Sequence, residues 1–140
     1  MNNLHNLRVM IVDDEPFMRS TIKAMLRVVG RCIVTEAADG ESALALLPKA
    51  KPEVVLCDIA MVPMNGLRFV EQLRNHPNPA MRDVAVVMQT VHADEVTIRG
   101  AVHLRINGYL LKPMSPKRLG DRLHAIFRDR RPPADDAEAV

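Results

Sequence analysis

The chain has 140 residues, 48% of them hydrophobic and 26% charged. That balance suits one globular domain with a single sizeable core. The net charge of +2 is too small to call for nucleic acid, and without Trp or interleaved aromatics the chain has no base-stacking platform. Lys117, Arg118, Arg122, Arg128, Arg130 and Arg131 do cluster late, which a solvated helix face accounts for. No apolar run reaches the roughly 18 residues of a membrane span. The opening MNNLHNLR lacks a signal-peptide layout, so a cytoplasmic protein is expected.

Short apolar runs alternate with amphipathic stretches. Leu7–Val12 (LRVMIV) reads as a buried strand ending in Asp13 and Asp14. Pro16 opens a helix, where its missing N–H costs little. Met18, Ile22, Met25, Leu26 and Val29 repeat at helical spacing, with Gly30 just past the end. Cys32–Ala37 is the second strand. Asp39 caps a helix expected to run to Leu47 and stop before Pro48. Glu53–Asp58 (EVVLCD) is the third strand, followed by a helix from Asn65 or Gly66 that carries Leu67, Phe69, Val70 and Leu73.

Asn75–Arg82 holds two prolines and reads as a loop. Val84–Gln89 is the fourth strand, His92–Leu104 a weak helix with Gly100 inside it, and Asn107–Leu111 the fifth strand. Ser115-Pro116 opens the last helix, with Leu119, Leu123, Ile126 and Phe127 on one face. From Arg130 the chain is charged and Pro-rich. The expected division is a folded domain over 1–129 and a disordered tail over 130–140. Cys32 and Cys57 lie in apolar runs without metal-type spacing and read as buried, reduced thiols.

Nearly all-apolar strands alternating with helices predict a parallel sheet covered on both faces, with right-handed crossovers. The expected architecture is a flavodoxin-like, doubly wound (βα)5 domain with a five-stranded parallel sheet. Ligands of such sheets bind at the carboxyl ends of the strands. There the sequence places Asp13, Asp14 and Glu15, then Asp58, then Gln89-Thr90, then Lys112-Pro113. Carboxylates held close repel one another and persist ionised with a cation, and hard oxygen donors suit Mg²⁺. A lysine and a hydroxyl beside them are equipped to hold phosphoryl oxygens, and an Asp carboxylate can accept a phosphoryl group covalently. Each residue alone has a plainer reading: Asp13 and Asp14 as a loop start and helix cap, Asp58 as a turn residue, Lys112 as a surface lysine, Tyr109 as core.

Taken together, VMIVDDEP, VVLCDIAMVPMNG, VVMQT and GYLLKP resemble the response-regulator receiver family over about Leu7–Phe127. Asp58 falls 44 residues after Asp14, Thr90 32 after Asp58, and Lys112 22 after Thr90, as in that family. The resemblance implies that Asp58 is the phosphoacceptor. It implies Mg²⁺, with Mn²⁺ as a substitute, held by Asp14 and Asp58 directly, by Asp13 through water, and by the Ala60 carbonyl. Thr90 and Lys112 would contact the phosphoryl group, Pro113 would hold the Lys112 loop, and Tyr109 would be the switch aromatic. The implied partners are a sensor histidine kinase or histidine phosphotransfer protein, and a downstream protein read through helix 4, strand 5 and helix 5. The protein would be a monomer or weak dimer without direct nucleic-acid or membrane binding. It would catalyse only its own phosphoryl uptake and loss.

The sequence departs from the family in four places. Val91 stands where Ala or Gly is usual, which predicts slower labelling by small phosphodonors. Pro63 lies one place late, Arg105 replaces a common Gly, and the connection after helix 3 is about two residues longer than in the simplest members. Two rival readings fit the sequence less well. An aspartate-based phosphohydrolase of the haloacid dehalogenase type would want DxD on the first strand and a cap domain; residue 15 is Glu and no cap insertion is present. A non-phosphorylated pseudo-receiver would not need the full acceptor set. A dinucleotide site lacks its GxGxxG after strand 1.

Overall fold

In the computed structural model, residues 3–61, 63–91, 99–101, 103–112 and 114–132 are described. Among them the chain forms β1 (Arg8–Val12), α1 (Pro16–Val29), β2 (Ile33–Ala37), α2 (Gly40–Ala50), β3 (Val54–Asp58), α3 (Gly66–Arg74), α4 (Pro79–Arg82), β4 (Ala85–Thr90), β5 (Gly108–Leu111) and α5 (Pro116–Ile126). The five strands make one all-parallel sheet in the order β2-β1-β3-β4-β5. This is the expected doubly wound architecture. The chain reverses direction across the sheet between β1 and β3, and the crevice above that point is where such folds bind ligands.

Alternation along each strand divides the core into two layers. Met10, Val12, Val55, Cys57, Val86 and Met88 face the α2–α3 side, with Leu47, Phe69, Val70 and Leu73. Val9, Ile11, Leu56, Val87 and Leu110 face the α1–α5 side, with Ile22, Leu26, Leu119 and Leu123. Each fully buried aliphatic side chain of this kind stabilises the fold by roughly 1.5–3 kcal/mol. The helix starts follow local chemistry. The side chains of Asp39, Asn65 and Ser115 accept hydrogen bonds from the N–H groups of Ser42, Arg68 and Arg118. Pro16 and Pro116 occupy first-turn positions whose N–H has no helical partner.

Several sequence expectations need correction. Pro48 lies inside α2, which continues to Ala50 and ends at Lys51 in a left-handed conformation with φ 45°. Proline removes one N–H, but the Lys51 N–H still reaches the Leu47 carbonyl at 2.9 Å and closes the last turn. The expected loop after α3 contains the one-turn helix α4, with Asn78 capping the Ala80 N–H and Pro79 in the first turn. Arg74 fixes this segment, donating from Nη1 to the carbonyls of Arg82 and Val84 at 2.8 and 2.6 Å and from Nε to that of Leu104 at 2.9 Å. Cys32 sits just before β2 rather than in it and is only partly buried; Cys57 is fully buried. Burial raises the Cys32 thiol to about 11 and raises Cys57 well above the ordinary thiol range.

Arg130, the first residue of the expected tail, is bonded to the domain. Its guanidinium donates to Glu53 Oε2 at 2.6 Å and Oε1 at 3.1 Å, and to the carbonyls of Asn3 and His5 at 2.7 and 3.1 Å. Residues 133–140 lie outside the described residues, as do His92, Pro113 and most of the expected helix 92–104. The flanking residues 99–101 and 103 are helical. No helix among the described residues is long and apolar enough to cross a membrane.

Candidate functional site

The strand ends converge as the sheet topology requires. Val12 pairs with Cys57, so the next residues, Asp13 and Asp58, lie side by side at the ends of β1 and β3. Asp13 is 1% exposed and held on both sides. Its Oδ1 accepts from the Glu15 N–H at 2.9 Å, and its carbonyl accepts from Arg19 Nη1 at 2.7 Å. Asp58 is also buried, and its Oδ1 accepts from the Ala60 N–H at 3.2 Å. From β5, Lys112 reaches across both. Its Nζ lies 3.1 Å from Asp13 Oδ2 and 3.5 Å from Asp58 Oδ2. The Lys112 backbone N–H donates to the Thr90 carbonyl at 2.8 Å, which ties the start of this arm to β4.

Asp14 completes the group: one oxygen from each of Asp13, Asp14 and Asp58 lies within 4.8 Å of the others. At that separation each pair of like charges repels by on the order of 3 kcal/mol at an effective dielectric of about 20. One ammonium cannot balance three carboxylates. Burial pushes the Asp58 carboxyl above its ordinary range, Lys112 pulls it back, and Asp13 pushes it up again. A surplus of hard oxygen donors held this close fits a divalent cation of the Mg²⁺ type.

The backbone behind Asp58 depends on a glycine. A Cβ on Gly66 would stand 2.2 Å from the Asp58 carbonyl oxygen and 2.9 Å from Ile59 Cα. Only a bare backbone lets the start of α3 pack against the acceptor strand, where the Gly66 N–H donates to the Ile59 carbonyl at 2.8 Å.

Of the residues singled out in the sequence, Asp13, Asp14, Asp58 and Lys112 form one cluster, with Thr90 buried at the neighbouring strand end. Ala60 lies two residues after Asp58 and is exposed. Glu15 is exposed and caps α1 without a side-chain bond. Val91 is 60% exposed, at the rim. Tyr109 stands apart from the cluster, 42% exposed on β5. Sequence reading gives no role to Gly66, visible only as the first residue of a helix, or to Gln89, seen only as a strand end and here buried on β4 beside Asp58.

Comparison with known proteins agrees with this geometry. Residues 9–124 match the family model described as the response regulator receiver domain. The chain is 33% identical over 122 residues to the chemotaxis protein CheY-3 of Vibrio cholerae, covering 87% of this chain and 92% of that protein. It is 35% identical over 121 residues to a probable transcriptional regulator, ycf27, of Guillardia theta, where it spans only 45% of the relative's length. The solved structure of Vibrio cholerae chemotaxis protein CheY4 superimposes with a TM-score of 0.78 at 28% identity, covering 86% of this chain and 98% of that one. The chain belongs to the response regulator receiver domain family, a signalling module of two-component systems.

Proposed function

We propose that Asp58 is the phosphoryl acceptor of this receiver. The donor would be a phosphohistidine on a sensor kinase or histidine phosphotransfer protein in the cytoplasm. The N–P bond of the donor breaks as an Asp58 carboxylate oxygen bonds to phosphorus. The observation that carries this reading is the Lys112 ammonium spanning Asp13 and Asp58, all three side chains being at most 9% exposed. A fixed positive charge already faces the carboxylate on which phosphoryl charge would develop, so little reorganisation accompanies transfer.

The other residues have supporting roles. Asp14 and Asp58 would hold Mg²⁺ directly, Asp13 through water, and the Ala60 carbonyl would complete the protein ligands. Bound there, the ion supplies neutralisation of the carboxylates and of the phosphoryl oxygens. The Thr90 hydroxyl donates to one phosphoryl oxygen and Lys112 pairs with another. The protein thus catalyses only its own phosphoryl gain and loss, and passes the signal to a downstream protein through the 99–105 segment, β5 and α5. A phosphohydrolase reading has no support in the site: Glu15 points to solvent, and the favoured nucleophile is on β3 rather than β1.

Intact-mass spectrometry tests the assignment. With Mg²⁺ and a small phosphodonor, wild type gains one phosphoryl group and Asp58→Asn gains none. Equal labelling of the two proteins overturns it.

A further inference from the structure

The side chain of Gln89 is 1% exposed, yet neither its Nε2 nor its Oε1 has a hydrogen-bond partner among the described residues. Burying an amide unpaired is unfavourable, and a strand position in an apolar layer has no need of one. The register shows where this amide lies. Ile11, Leu56 and Val87 form one cross-strand row in the α1–α5 layer. Two residues on, alternation brings Asp13, Asp58 and Gln89 to the same face as the next row, with Asp58 the direct partner of Gln89. Lys112 starts from β5 and ends on β3 and β1. The sheet order puts β4 between them, and Gln89 pairs with Leu110, two residues before Lys112, so the lysine arm crosses β4 on the face that carries Gln89.

We propose that Gln89 is a positioning residue for Lys112: its Oε1 accepts the third N–H of the ammonium when a phosphoryl group on Asp58 draws that ammonium from Asp13. An ammonium has three donors. Asp13 and Asp58 engage two in the resting protein, at 3.1 and 3.5 Å. Moving toward a phosphoryl oxygen breaks the shorter contact, and the Gln89 amide on the same face is an acceptor without a partner among the described residues. The unfavourable burial of Gln89 in the resting state is then relieved in the phosphorylated one, which biases the protein toward it. The inference rests on Asp58 as acceptor.

The full chain, loaded with Mg²⁺ and beryllium fluoride as phosphoryl mimic, tests it. Bound ¹⁹F resonances report loading. Wild type should load, and the Gln89 side-chain amide resonances should shift. Gln89→Met keeps the volume and removes the amide. It should raise the melting temperature of the unloaded protein and weaken beryllium fluoride binding roughly tenfold, the effect of one hydrogen bond to a charged group. A residue that only fills space would change stability and leave that affinity alone. Equal affinities, or Gln89 resonances unmoved in loaded wild type, overturn the Gln89 proposal and leave Asp58 standing. Wild type that binds no beryllium fluoride overturns the acceptor assignment and this proposal with it.

Discussion

Lys112 and Asp13, 99 residues apart in the chain, meet at 3.1 Å across the carboxyl edge of the sheet, with side chains 9% and 1% exposed. This pair closes β5 over β1 and is the main internal counter-charge of the acidic cluster. Removing one partner of a buried pair leaves the other charge uncompensated, at a cost of about 3 kcal/mol or more.

Lys112→Ala should therefore be strongly destabilised in metal-free buffer, with Asp13, Asp14 and Asp58 left facing one another. Added Mg²⁺ should restore part of that loss, because a cation takes over the balancing role. Urea unfolding with and without Mg²⁺ measures both quantities. A variant as stable as wild type without metal would show that the pair contributes no net stability.

A second ion pair closes the opposite end of the sheet. The Arg130 side chain is 8% exposed and donates to Glu53 and to two backbone carbonyls near the N-terminus. Burial alone would raise the Glu53 carboxyl, but its bonds to Arg130 and to the Arg8 N–H hold it below its ordinary 4.5. A carboxyl lowered on folding stabilises above the unfolded value and loses that contribution as pH falls through the folded value. Arg130→Ala should cost about 2 kcal/mol at neutral pH. The gap to wild type should hold down to near pH 4.5 and narrow below it. Thermal unfolding across pH gives the comparison; a gap that widens in acid would show that Glu53 is not the partner that matters.

Arg105 has φ 58°, the left-handed region in which a Cβ is crowded. Its carbonyl accepts from Arg74 Nη2 at 3.0 Å, so the turn is held by backbone rather than by the arginine side chain, which is 63% exposed. Glycine should fit better. The relief of roughly 1–2 kcal/mol is offset by glycine's freedom in the unfolded chain, about 0.5–1 kcal/mol. Arg105→Gly should melt roughly 2–3 °C higher. Its weak 3.9 Å contact with Asp83 is too exposed to reverse the sign. A lower melting temperature would mean that the side chain contributes more than its exposure indicates.

The strands and the acidic cluster were readable in the sequence because each rests on a local signal. LRVMIV followed by DD, and EVVLCD, state both the buried run and the polar end that follows it. What escaped depended on tertiary contact. Gly66 matters because of the Asp58 carbonyl behind it, and Arg74 because four carbonyls converge on it from distant segments. Arg130 read as tail because its partners, Glu53 and the first residues, are far away in sequence. Pro48 was read as a helix stop because a proline cannot supply one N–H, but the turn around it keeps its other bonds. The sequence predicts that Val91 slows labelling by small phosphodonors. At 60% exposure it stands at the rim, so any effect falls on the approach of a donor rather than on the carboxylate itself.

A switch would work through the face of the sheet opposite Lys112. Tyr109 pairs with Met88, and Thr90 lies two residues further along β4. Alternation puts Tyr109, Met88 and Thr90 on the same face, with Thr90 and Tyr109 as diagonal neighbours within reach of an aromatic ring. Tyr109 is now 42% exposed, while Thr90 is buried at 7%. A phosphoryl group on Asp58 adds about −1.5 to −2 charges and three acceptor oxygens. Thr90 must shift toward them for its hydroxyl to donate, and the space it leaves beside Met88 is open to the Tyr109 ring. The ring should then turn inward, burying apolar surface and changing the groove that Tyr109 shares with Leu110, Arg118, Asp121, Arg122 and Ala125. Arg118 and Arg122 make this face suit an acidic partner segment. A coupling of only about 1–3 kcal/mol would bias the two positions usefully. Tyr109 is the one tyrosine and the chain has no Trp, so intrinsic fluorescence and tyrosine ring resonances report this site alone. Both should change when wild type is phosphorylated and change much less in Thr90→Ala. A Tyr109 signal indifferent to phosphorylation would remove this route to the output face, while leaving Asp58 as acceptor untouched.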